Sequence, residues 1–105
     1  MNQSSEGGNK ELPLPSENEG TTLCVVKRIV GAGFAEVICA NNEMYMARIP
    51  GKMRRKIWIK EGDVVLFMPW GTRDNKGEIV HKYEKSDIKA LLELGVLPKE
   101  LLEVV

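Results

Sequence analysis

Residues 47–67 read ARIPGKMRRKIWIKEGDVVLF and combine strong turn signals with the densest positive charge of the chain. Pro50 and Gly51 interrupt one apolar run, and Gly62 turns the chain into the next, which begins at Val64. Six cations fall within thirteen residues of this stretch. They are Arg48, Lys52, Arg54, Arg55, Lys56 and Lys60. The stretch therefore predicts a basic connection between two strands, a common location for binding residues.

An aromatic residue lies among these cations. If the segment is extended, Lys56, Trp58 and Lys60 share one face and Ile57 and Ile59 share the other. Trp58 would then be a platform for a base or ribose between two cations, a combination that suits an RNA surface. In the alternative interpretation Trp58 is a core aromatic and the lysines are solvated. If the segment is helical, the argument from strand faces no longer applies, but the density of positive charge is unchanged.

The flanking sequence predicts a small β-barrel. Runs rich in β-branched and apolar residues are separated by turn residues such as Gly31-Ala32-Gly33 and Asn41-Asn42. The predicted strands are residues 22–30, 34–40, 43–49, 63–70 and 78–84. Strands this short, with turns between them, are typical of a closed barrel. Trp70, after Pro69, is expected to be buried or to pack at the barrel rim.

A helical pattern follows the last predicted strand. Ser86 is a plausible N-cap, Leu91 lies on the apolar face, and Gly95 is a natural stop. Pro98 can begin a second short helix. We therefore expect residues 86–105 to form a helical segment packed on a barrel of residues 21–85. Residues 1–20 are polar, with few large apolar side chains, and are expected to be a flexible tail.

The formal net charge is zero, but the charges are segregated. Residues 21–85 hold twelve Lys or Arg and seven Asp or Glu, a net charge of +5, whereas residues 1–20 carry −3 and residues 86–105 carry −2. A basic middle with acidic ends favours an anionic partner for the barrel. Lys27, Arg28 and Lys82 could extend the basic surface around it.

Other chemistry has little support in the sequence. Neither a catalytic constellation nor a metal-ligand spacing is evident, and no cysteine or carboxylate cluster accompanies His81 at ligand spacing, so no enzyme activity, cofactor or metal is expected. Cys24 and Cys39 are expected to be small buried apolar residues, with a disulfide as the less favoured alternative. There is no membrane span and no secretory signal, which favours a cytoplasmic protein.

The basic stretch also resembles the signature of the translation initiation factor 1A family. The segments 69–70, 74–79 and 82–83 fit the same family pattern, and the resemblance covers about residues 20–97. It implies a mainly β fold, a five-stranded OB-fold barrel with C-terminal helices. The acidic N-terminal residues and the short C-terminus resemble the archaeal, short-tailed branch of the family.

The resemblance implies a function at the ribosome. Such factors bind ribosomal RNA of the small subunit at the aminoacyl-tRNA site, promote initiator tRNA recruitment, and cooperate with homologues of initiation factors one, two and five B. A monomer without a cofactor is expected. The implied RNA-binding residues are Arg48, Lys52, Arg54, Arg55, Lys56, Trp58, Lys60 and Lys82. Alternatives are a general single-stranded RNA binder or RNA chaperone, and a module that binds an acidic protein.

Overall fold

The computed structural model describes residues 12–31, 33–51, 53 and 59–104. Within them the chain forms a closed barrel in the order β1-β2-β3-β5-β4, which confirms the predicted architecture. The strands are β1 (Thr22–Gly31), β2 (Phe34–Cys39), β3 (Met44–Arg48), β4 (Val64–Pro69) and β5 (Lys76–Lys82). They are followed by helix α1 (Lys85–Glu93) and a 3₁₀ helix (Lys99–Val104).

A single parallel pairing closes the barrel. β3 and β5 pair in parallel, from Met46 opposite Lys76 to Arg48 opposite Glu78, and the other neighbouring strands are antiparallel. The chain must therefore cross from β3 to β4 before β5 can pair beside β3. The connection that makes this crossing, residues 49–63, carries most of the basic stretch.

Both ends of that connection are anchored on the barrel. The Ile49 N–H donates to the Gly33 carbonyl at 2.7 Å, and the Gly62 N–H donates to the Val26 carbonyl at 2.9 Å. Gly51 and Met53 are helical, and Met53 is buried in the core. The predicted alternation of Ile57 and Ile59 can be followed only at Ile59, which packs partly buried against the core.

The barrel interior is filled by the inward residues of all five strands. In β2 the alternation is regular, with Ala35, Val37 and Cys39 buried. Cys24 lies directly opposite Cys39 in the β1–β2 register, and the structure joins the two in a disulfide. The prediction that both cysteines are buried is confirmed. The preference for reduced cysteines is wrong, because the register places both side chains on the same inward face.

The helices cover only one side of the barrel's outer surface. Leu23, Val25, Val64 and Leu66 point outward from β1 and β4 and pack in a second buried cluster with Leu91, Leu97, Leu101 and Tyr83. We call this surface the covered face. The N-cap of α1 is Glu84 rather than the predicted Ser86, since the Asp87 carboxylate accepts the Glu84 N–H at 3.0 Å. Gly95, with φ of 77°, ends the helix as expected.

The first described residues also reach the covered face. Leu12 packs against its apolar cluster, and the Tyr83 hydroxyl donates a hydrogen bond to the Pro13 carbonyl. The Ser16 N–H donates to the Thr21 hydroxyl at 2.9 Å. The division at residue 20 between tail and barrel stays a prediction, although Leu12 and Pro13, on its tail side, contact the core. Within the described residues, no helix is long and apolar enough to cross a membrane.

Candidate nucleic-acid interface

The outer surface of β2, β3 and β5 is largely left uncovered by the helices. The strands pair so that Phe34 lies opposite Arg48 and Arg48 lies opposite Glu78, while Met46 lies opposite Lys76 in the next row. All of these residues are exposed or half-buried. Together with Trp70 they form the surface that we call the open face: Phe34, Met46, Arg48, Trp70, Lys76 and Glu78.

Trp70 continues an outward row of the open face beyond the end of β4. The backbone N–H of Trp70 donates to the Lys76 carbonyl at 2.9 Å, which places Trp70 opposite Lys76. The indole Nε1–H donates to Glu78 Oε1 at 3.2 Å, and the residue is 42% exposed. Of the two expected positions for Trp70, burial is excluded and packing at the rim remains, because the alternation along the β4–β5 hairpin directs this side chain outward.

Arg48 is the exposed cation at the centre of the open face. Among the residues that the structure describes, no carboxylate forms an ion pair with its guanidinium. Arg28, by contrast, is held by Glu36 at 2.9 Å, and this hydrogen bond raises the pKa of Arg28. Of these two arginines, Arg48 is the one whose charge is available to a phosphate.

The β4–β5 turn beside the open face carries opposing charges. The Thr72 hydroxyl donates to the Asp74 carboxylate and lowers the pKa of Asp74, which keeps this group ionised. Asp74 Oδ2 lies 3.6 Å from the Lys76 ammonium. The charge of Lys76 is therefore partly compensated, and Lys76 offers a weaker phosphate contact than Arg48.

A buried carboxylate organises the far end of the basic connection. Asp63 is only 8% exposed and accepts the Lys60 N–H at 2.8 Å and the Lys60 ammonium at 2.9 Å. The Lys82 ammonium lies 3.6 Å from Asp63 Oδ2. These three residues line an open groove of about 560 Å³ that continues along the start of α1 past Ser86 and Ile88.

The two lysines of this cluster differ in access. The Lys60 side chain is 72% exposed, whereas the Lys82 side chain is 15% exposed. Lys60 can therefore contact a large partner while it pairs with Asp63. Lys82 cannot do so to the same extent. Within the described residues, no group of three or more His, Cys, Asp or Glu is placed to hold a metal ion.

Comparison with known proteins identifies the family. The model of the family described as "Translation initiation factor 1A / IF-1" matches residues 9–104. The chain belongs to this family. Translation initiation factor 1A of Aeropyrum pernix is 61% identical over 95 residues, covering 90% of this chain and 86% of the relative. Translation initiation factor 1A of Sulfurisphaera tokodaii is 45% identical over 94 residues, covering 90% of this chain and 85% of that relative.

A solved structure is also similar. The solution structure of bacterial translation initiation factor one from the Wolbachia endosymbiont strain TRS of Brugia malayi aligns with a TM-score of 0.48 and 24% identity. It covers 68% of this chain and 85% of that one. The protein is a translation initiation factor with an OB-fold barrel, as the resemblance of its basic stretch implied.

Three of the eight predicted RNA-binding residues of the factor lie in the described part of the chain. Arg48 lies on the open face, and Lys60 and Lys82 lie together at Asp63. The other predicted residues lie outside the described part of the chain. They are Lys52, Arg54, Arg55, Lys56 and Trp58. Their assignment to RNA binding stays a prediction.

Two features of the factor were missed by sequence reasoning. Asp63 carried a usable signal, since it follows Lys60 at a spacing of three and directly precedes an apolar strand. The Trp70–Glu78 pair carried a weaker one, because their contact depends on the length of the turn between β4 and β5. Pairing of β4 with β5 brings together Trp70 with Glu78 and Asp63 with Lys82, whereas the contact of Asp63 with Lys60 is local.

Proposed function

We propose that this initiation factor binds the small ribosomal subunit at the aminoacyl-tRNA site through ribosomal RNA and thereby promotes initiator tRNA recruitment. The observation that carries the proposal is the position of Arg48 and Lys60. Both are exposed, and they stand at opposite ends of a connection that is anchored on β1 and the β1–β2 turn. The sequence between them adds four further cations and Trp58.

The mechanism is occupancy of a site, with no bond made or broken. Cations that neutralise phosphates release condensed counterions, and this release supplies most of the affinity for RNA. A rigid barrel fixes the ends of the basic connection, so less chain entropy is lost on binding than for a free basic peptide. We infer that the factor acts in the cytoplasm as a monomer, together with homologues of initiation factors one, two and five B and the initiator tRNA complex.

Subunit binding tests the proposal. Labelled factor is titrated with purified small subunits, and Arg54→Glu with Arg55→Glu is expected to weaken binding by at least about tenfold, since two phosphate contacts become repulsive. Bound wild-type factor should also be displaced by a tRNA that occupies the aminoacyl-tRNA site. A tRNA that binds this site without competition would contradict the proposed location.

A charge-matched control separates a specific site from general electrostatics. Lys89→Glu with Lys99→Glu makes the same charge change at exposed positions of the two C-terminal helices. This control should bind within about twofold of wild type if the basic connection is the contact. Equal losses of affinity in the two double variants would count against the site. So would a melting temperature of the Arg54→Glu/Arg55→Glu variant far below that of wild type.

The exposed Trp70 raises the alternative of a general single-stranded RNA binder. Such proteins stack successive bases on several aromatic side chains. Among the large apolar side chains that are exposed in the described part of the chain, Trp70 is the aromatic one. We therefore expect naked single-stranded RNA to bind far more weakly than the small subunit. Equal affinities would favour the alternative.

A further inference from the structure

We infer that Asp63 is a positioning residue for RNA binding. Its carboxylate fixes the end of the basic connection, so that removal of this anion weakens the binding of RNA instead of strengthening it. The inference rests on the proposed function, since it assigns a role within the same complex. Its starting point is a buried carboxylate, 8% exposed, within a stretch of sequence that carries six cations.

The carboxylate of Asp63 closes a four-residue turn at the end of the connection. The Asp63 N–H donates to the Lys60 carbonyl at 3.1 Å, and Asp63 Oδ2 accepts the Lys60 N–H at 2.8 Å. Gly62 supplies the left-handed conformation that the turn needs, with φ of 88°. The two hydrogen bonds hold Lys60 by both of its peptide groups, and they fix the direction in which the chain arrives from the basic stretch.

The turn is itself tied to two strands of the barrel. The Val26 N–H donates to the Asp63 carbonyl at 2.8 Å, and the Gly62 N–H donates to the Val26 carbonyl at 2.9 Å. On the other side, the Lys82 ammonium at the end of β5 lies 3.6 Å from Asp63 Oδ2. Asp63 therefore holds the connection against β1 through its backbone and against β5 through its side chain.

A fixed end matters because the residues proposed to contact RNA come directly before it. Four cations and Trp58 lie between Arg48 and Lys60 in the sequence. Ile59, which joins them to the turn, packs partly buried against the core. Each residue that RNA has to order on binding costs affinity, whereas a residue that the fold already orders does not. Without the Asp63 carboxylate, RNA would have to order the turn, and the affinity would fall.

General electrostatics makes the opposite prediction, so the sign of the effect tests the inference. Asp63 is an anion that pairs with Lys60 and Lys82. If charge alone mattered, its removal would raise the net charge of the factor by one and release both ammonium groups from Asp63. Binding to a polyanion would then become tighter. A positioning role requires weaker binding although the factor has become more basic.

Two substitutions of Asp63 remove the same charge and differ in the hydrogen bond. In Asp63→Asn the amide oxygen can replace Oδ2 and keep the Lys60 N–H and the approach to Lys82. The amide nitrogen then replaces Oδ1, where the exposed Lys60 ammonium can swing into solvent. In small-subunit titrations, Asp63→Ala should bind about 5- to 30-fold more weakly than wild type, the effect of ordering one more residue. Asp63→Asn should bind as tightly as wild type.

A neighbouring carboxylate provides the matched control. Glu61→Gln removes the same charge two residues away, at an exposed position of the same turn, and should bind at least as tightly as wild type. Hydrogen exchange of the free proteins, followed by NMR, gives a local readout. The Lys60 N–H should be protected in wild type and in Asp63→Asn and should exchange rapidly in Asp63→Ala, while the amides of β4 stay protected in every variant.

The affinity for small subunits should follow the protection of the Lys60 N–H. The inference is overturned if Asp63→Ala binds as tightly as wild type or more tightly, or if Glu61→Gln loses as much affinity as Asp63→Ala. If Asp63→Ala does not fold, or loses protection in β4, Asp63→Asn decides. Affinity and protection that are kept together or lost together support the positioning role, and loss of one without the other overturns it.

The failure of this inference can be told apart from the failure of the proposed function. If Arg54→Glu with Arg55→Glu loses binding while Asp63→Ala binds like wild type, the basic connection stands as the contact and Asp63 does not position it. If wild-type factor does not bind small subunits, both proposals fall together.

Discussion

The covered and open faces are two parts of the same outer barrel surface with opposite uses. On the covered face, outward residues of β1 and β4 are Leu or Val and pack under α1 and the 3₁₀ helix. On the open face, the corresponding outward positions of β3 and β5 hold Arg48, Lys76 and Glu78. The difference shows that the helices bury one part of the barrel's exterior and leave another part exposed to solvent.

The two faces are distinguished by the sequence pattern of their strands. β4 has four consecutive buried residues, Val64 to Phe67, because its inner side faces the barrel core and its outer side faces the helices. β2 alternates, because its outer side is only partly covered. Substitutions on the covered face should therefore change the free energy of unfolding, and those on the open face should change binding.

The largest effect, on the free energy of unfolding, is expected from shortening a buried side chain of the covered face. Leu91 is fully buried at the centre of the helix–barrel cluster, so Leu91→Ala should lower the free energy of unfolding by about 2–5 kcal/mol. Urea denaturation followed by circular dichroism measures the change. Leu94→Ala, at an exposed position, should change it by less than about 0.5 kcal/mol. Similar losses for both would contradict the division into two faces.

The disulfide is expected to have the next largest effect. It joins β1, which carries part of the covered face, to β2, which carries part of the open face, across a sequence separation of 15. Unfolding in urea with dithiothreitol should give a stability about 3 kcal/mol lower than without it. Alkylation in denaturant, read by intact mass, should modify neither Cys24 nor Cys39 until the reductant is added. Modification of both beforehand would show that the pair is reduced.

A pH-dependent effect is expected at Tyr83, on the covered face. Burial, with a smaller contribution from the charge of Asp87, raises the pKa of Tyr83 from 10.0 to about 12. The folded state thus favours the neutral phenol, so its contribution to stability is fully present below pH 10 and is lost as the pH rises towards 12. The phenolate absorbance at 295 nm should show a titration step near pH 12 that Tyr83→Phe lacks.

The stability curve provides a second readout for Tyr83. The difference in unfolding free energy between wild type and Tyr83→Phe should be constant up to about pH 9 and shrink above about pH 10. Lysine titration affects both proteins alike and cancels in this difference. A difference that grows with pH would reverse the assigned direction.

The smallest expected effect is on the salt dependence of small-subunit binding. In small-subunit titrations at several KCl concentrations, Arg48→Ala should make the slope of log K against log salt shallower by about 0.7–0.9, the value for one phosphate contact. Lys82→Ala should change the slope much less, because its side chain is 15% exposed and lies against Asp63. Thermal unfolding of Lys82→Ala controls for the partner that Asp63 loses. Equal slope changes would restore Lys82 as an RNA contact.

Local patterns in the sequence were sufficient to predict the strands and their order of appearance. The five predicted runs correspond to the five observed strands, and turn residues mark the hairpins. The last strand was predicted two residues late, since it begins at Lys76, where pairing with β3 begins. Gly77 shows why such details escape prediction. A Cβ there would lie 2.4 Å from the Met68 carbonyl oxygen and 2.5 Å from the Phe67 ring, a close approach that arises only when β4 and β5 pair.

The sequence by itself determined the barrel, the basic connection and the family, because these depend on residue order, periodicity and charge along the chain. The tertiary structure decided which outward residues are covered, and it placed Trp70 beside Glu78 and Lys82 against Asp63. Periodicity tells which side of a strand a residue is on. It does not tell which element packs on that side or which polar atom lies across the pairing, and these contacts separate the residues available for binding from those held within the fold.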